Sequence, residues 1–212
     1  MQTYVPWLAL AASLLLIAAY EILLLTKARR DPHATARSAH VLLRAAWVSA
    51  LSRERGTEVL AVQLLRNSLM SATISASTAA LALMGCISIL ASLGGRSTRS
   101  LEAFHVGNVL ELLLMATLFA SYVCSAMSMR YYNHAGFVMS MPVGSPEREQ
   151  RLPMAVDYLK RAGVLYSWGL RFFLLVAPIV VGLINSLLMP AAAIALVVVL
   201  QHFDRGPGAL DD

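Results

Sequence analysis

Three ionisable side chains stand inside long apolar runs: Glu21, Glu111 and Arg171. A charge at the centre of a bilayer costs roughly 2.5–3.5 kcal/mol on insertion scales, so such groups turn towards protein or water and find partners. Glu21 lies one turn from the inner end of the first run, and Arg171 about two turns inside the fourth. A Glu21–Arg171 ion pair is therefore allowed, either to fix helix order or to gate or bind an ion. Glu111 sits near the opposite membrane face. With His105 and Asn108 it steps by three, each residue rotated about 60° from the last. That arc could bind a cation, relay protons or clasp a neighbouring helix.

The second apolar run carries Ser68, Ser71, Ser75, Thr78, Ala82 and Gly85 at three–four spacing, hence on one stripe. Small residues so placed let helix backbones approach closely. The same hydroxyls could instead line a water-filled wall and replace part of an ion's hydration. Beyond the third run comes YYNHAGFVMSMPVG, residues 131–144. Tyr131 and Tyr132 suit an interfacial belt; Asn133 and His134 could cap the carbonyls of a helix ending there. Gly136 permits a turn, and Pro142 stops the chain. The stretch reads as a helix-termination and docking element, or as the polar rim of a cytoplasmic vestibule or partner surface.

No metal centre emerges. His33 and His40 stand seven apart on a basic loop, and Glu102-x-x-His105 is one copy of a motif that di-iron bundles use in pairs. Phosphate loops, nucleophile elbows and paired-cysteine motifs are missing. Catalytic residues, cofactors and metals are all read as none, and an enzyme is disfavoured. Cys86 and Cys124 point to opposite faces of a layer about 30 Å thick, whereas a disulfide needs α-carbons within about 7 Å.

The elements that must position these residues are membrane spans. The chain has 212 residues, 58% hydrophobic and 14% charged, well below the roughly 25% charge of soluble domains. It reads as one integral membrane domain over 1–212, an all-α polytopic bundle. Its spans fall near 6–25, 66–93, 106–127, 163–184 and 190–203, the last two forming a short hairpin. A single span with a re-entrant segment is the alternative for residues 163–203. The first run lacks the basic start of a signal peptide and is read as an anchor. Loops 26–65 and 128–162, together with Arg66 at the inner end of span two, hold thirteen Lys and Arg, against Arg96 and Arg99 in the link between spans two and three. Cytoplasmic loops collect such cations. The N-terminus is thus expected outside, the C-terminus in the cytoplasm, and the location an inner (cytoplasmic) membrane. The excess of 17 basic over 12 acidic residues is a topology signal; no nucleic-acid partner follows.

In the first loop, Leu43, Trp47 and Leu51 alternate with cations at helical spacing. This helix could lie among headgroups and favour anionic lipid, or pack on the protein's own helices. SPEREQ begins like a short helix, with a Ser cap and Pro at the first position, and Pro153 would open the approach to span four. The tail DRGPGALDD reads as frayed.

LAVQLLRNSLMSAT (60–73), YYNHAGFVMS (131–140) and GLRFF running to Pro178 together resemble the membrane protein family known as domain of unknown function 599. The resemblance spans about residues 5 to 204. It implies a small multi-spanning architecture, and singles out Gln63, Arg66, Asn67, Asn133, His134, Gly136 and Arg171 for testing. The threading gathers these towards the cytoplasmic side, with Ser71, Ser75 and Thr78 above them. The leading expectation is a homo-oligomeric ion or small-solute channel or transport protein. The alternative is an accessory or scaffolding subunit that docks another membrane protein.

Overall fold

The computed structural model describes residues 4–30, 35–94 and 105–204, and these are almost entirely helical. The helices are α1 (Val5–Arg30), α2 (Ala36–Leu51), α3 (Glu58–Gly94), α4 (Val106–Met139), α5 (Pro146–Ile184) and α6 (Met189–Asp204), with a 3-10 turn, Ser186–Leu188, before α6. Five of them, all but α2, are long and apolar enough to cross a membrane, α6 together with its 3-10 turn. The chain is a multi-pass membrane protein.

Helix length decides the shape. At 1.5 Å per residue, α3, α4 and α5 measure about 56, 51 and 59 Å, α1 about 39 Å and α6 about 24 Å, against a hydrocarbon layer of about 30 Å. Leu10, Val106, Leu110, Ile179 and Met189 share one core, so four helix ends are flush there. The excess of α3, α4 and α5 therefore projects at the other end, where the cations collect. That basic head has its own core, with Val48, Leu65, Tyr132, Met139 and Leu159 at its centre.

The hairpin of α4 and α5 forms the spine. α3 packs on α4, while α1, α2 and α6 pack against α5 or against one another. Hydroxyls stitch the spine: Ser121 donates to the Gly169 carbonyl and Ser128 to the Ala162 carbonyl, each at 2.8 Å. Gly169 is needed for that approach, because a Cβ there would lie 2.7 Å from the Ser125 hydroxyl.

Several expectations change. α4 does not stop near residue 132 but runs to Met139, with Ser140 as its cap. Asn133, His134 and Gly136 are thus helix interior, not caps or a turn. The cause is burial: Tyr132, Ala135, Val138 and Met139 keep a helical stripe packed in the head core. The turn falls at Gly144, whose φ of +85° is a left-handed conformation that glycine adopts without strain. SPEREQ is not a separate short helix; α5 starts at Pro146 and continues through Pro153. Pro153 is exposed, so water can satisfy the carbonyl it leaves bare. Residues 163–203 form the hairpin. α2 sets Val48 fully into the head core, with Trp47 and Leu51 packed against it, while Leu42 and Leu43 stay exposed. Arg96, Arg99, Glu102 and His33 lie outside the described residues.

Candidate functional site

Arg171 is the most enclosed of the singled-out side chains, 7% exposed. One guanidinium nitrogen, Nη1, donates to Glu21 of α1, and Nη2 to Asp204 at the end of α6. The Tyr20 hydroxyl donates to the other Asp204 oxygen at 2.6 Å. Three helices are thereby pinned at one depth. Asp204 escaped the sequence reading because a Gly/Pro-rich tail follows it directly; its helical place depends on this pairing, which no local pattern announces.

The remaining residues do not join Arg171. Ser121 is level with Gly169 through its hydrogen bond, and Asn133 lies twelve residues further along α4, about 18 Å away. Nor do they share one face. Arg66 and Asn133 line the same groove between α3 and α4, of about 290 Å³, whose walls include Val62, Leu69, Gly136 and Phe137. His134 turns the other way, its ring 5.6 Å from that of Tyr158 on α5. Gln63 and Asn67 are exposed. A single polar mouth around Gln63, Arg66, Asn67, Asn133 and His134 is therefore not formed within one chain. A helix turns 100° per residue, so neighbours in sequence diverge.

The groove has a sequence counterpart. Residues 60–73 and 131–140, the two most distinctive stretches, supply its opposite walls. Arg66 is exposed beside Phe137, itself 68% exposed, so a cation stands at the edge of an apolar trough.

The stripe on α3 faces outward. Ser71 and Thr78 are exposed and Ser75 half-buried; each hydroxyl donates to the carbonyl four residues before it, at 3.1, 2.8 and 3.0 Å respectively. The helix uses Ala61, Leu65, Ala72, Ala76 and Ala79 to pack on the protein. At the other end of α4, His105 and Asn108 are exposed and Glu111 is half-buried, beside the buried Val106–Leu110–Leu114 row.

Two residues of the basic head were missed. Arg148 is 2% exposed and donates from Nη1 to the Met141 and Met139 carbonyls, at 2.6 and 3.4 Å, closing the end of α4. Glu58, on the first turn of α3 and beyond its apolar stretch, accepts the Val143 N–H at 2.9 Å. That bond holds its carboxyl below the ordinary range. Spacing announces neither, since their partners are backbone groups of the α4–α5 turn. Cys86 and Cys124 are free thiols, and among the described residues no group of three or more His, Cys, Asp or Glu could hold a metal.

A family model described as "Protein of unknown function, DUF599" matches residues 8–207. No curated protein matches the chain, and no solved structure does.

Proposed function

Since the chain belongs to the DUF599 family, whose description leaves the activity open, we propose a function from geometry: a docking subunit of a membrane protein assembly. Its spans anchor it in the cytoplasmic membrane with the N-terminus outside. The head presents the α3–α4 groove to the cytoplasm. One observation carries this reading: the two distinctive stretches face each other across an outward-open groove. Arg66 supplies that groove's cation, among apolar walls. Its complement is a partner segment with a carboxylate between apolar side chains, matched by a guanidinium fork. A photo-crosslinking residue at Phe137 should capture one membrane protein in cells, with a control at the lipid-facing Leu112 giving none. Arg66→Glu should abolish the capture. If Phe137 and Leu112 give the same products, the docking reading is wrong.

A second reading, conduction by a homo-oligomer, rests on the α3 stripe. Asn67, Ser71 and Thr78 are exposed on the protomer surface and could line a path between copies, with Arg66 there favouring anions. Reconstituted protein would then leak ions from liposomes, and Asn133→Ala or His134→Ala would alter the flux. Equal leak from wild type, both variants and empty liposomes would eliminate conduction.

A further inference from the structure

Arg44 borders two cavities at once. One is a polar notch of about 40 Å³ bounded by His40, Gly163 and Ser167. The other is an apolar groove of about 260 Å³ walled by Leu43, Trp47, Leu64 and Leu159. The guanidinium rests directly on α5, because a Cβ added to Gly163 would stand 2.0 Å from Nη1. Ser68, which also lines the groove, lies beside the Tyr132 hydroxyl, and that hydroxyl feels the charge of Arg44. Among the described residues no carboxylate pairs with Arg44. A half-buried cation with hydroxyls beside it and no counter-charge is built to receive an anion.

Depth identifies what kind. Gly163 is twenty-one residues from the far end of α5 at Ile184, about 32 Å. That is close to the full hydrocarbon thickness of about 30 Å, so Arg44 sits where acyl chains give way to headgroups. Trp47 in the groove wall suits the same level.

We propose that the notch and groove together bind an anionic amphiphile, its phosphate or carboxylate head against Arg44 and its alkyl chain along Leu43, Trp47 and Leu64. The site does not depend on the docking reading. A membrane phospholipid and a free fatty acid share this chemistry, and the test separates them.

In neutral detergent, with Trp7→Phe and Trp168→Phe leaving Trp47 as the sole tryptophan, fluorescence quenching by brominated chains reports occupancy. Brominated phosphatidylglycerol should quench Trp47 at about ten-fold lower mole fraction than brominated phosphatidylcholine, as expected for a charge-assisted contact. Arg44→Gln should erase that preference and Arg44→Lys retain part of it. Leu64→Gln, on an exposed groove wall, should weaken binding while bringing Arg44 no counter-charge. Bromoundecanoate outperforming phosphatidylglycerol names a fatty acid as occupant, and the reverse names a phospholipid. Equal quenching by both phospholipids without response to bromoundecanoate overturns the proposal. So does a headgroup preference that survives both Arg44→Gln and Leu64→Gln, since only annular lipid would then be sensed.

Discussion

Arg171 answers to two carboxylates from different helices, Glu21 of α1 and Asp204 at the end of α6, and removing it would strand both. Breaking a buried pair by deleting one partner costs about 3–5 kcal/mol. Arg171→Met should therefore lower the unfolding midpoint in mild detergent sharply. Asp204→Asn should cost less, because Glu21 keeps its cation. Glu58 offers a pH test. Its folded carboxyl is depressed by the Val143 N–H, so its contribution is present above the unfolded value near 4.3 and fades as pH falls through the lower folded value. The thermal stability gap between wild type and Glu58→Gln should be open at neutral pH and close below about pH 4. Glu21 and Arg171 could be paired from sequence by counting turns from each helix end. Asp204, Arg148 and Glu58 could not, since each finds its partner through a turn or a third helix rather than through spacing.

Among the elements, α4 departs most from its sequence pattern. The NHAG tetrapeptide has the composition of a stop signal, yet the buried row from Tyr132 to Met139 outweighs it, as tertiary packing routinely outweighs propensity. Two glycines discriminate. Gly136 is helical with open space where a Cβ would go, so Gly136→Ala should stabilise by about 0.5–1 kcal/mol. Gly144 holds a φ of +85°, and Gly144→Ala should cost about 1–2 kcal/mol. Chemical denaturation of both variants measures the opposite signs; a loss at Gly136 would restore the turn there. The close-packed seam also differs from the expected one. Small residues on α3 suggested it, whereas the backbones approach at Ser121, Ser128 and Gly169. Spacing alone does not say which of two small stripes meets a neighbour.

For the whole molecule, the number of apolar helices and the cation-rich end followed from composition and run length. The tall basic head did not, because its helices are continuous with the spans and no polar break marks the boundary. Membrane thickness acts unequally on such a body. α6 with its 3-10 turn, about 30 Å long, is tethered at Asp204 by Arg171 and cannot slide to suit a deeper layer. The spine helices simply pass through. A thick bilayer must therefore dimple around α6 alone, at fractions of a kcal/mol per Å of mismatch. Melting in nanodiscs should be highest with short-chain lipids and fall as chains lengthen. Cutting the tether with Asp204→Asn should flatten that dependence, making one ion pair the gauge by which this chain senses the depth of its surroundings.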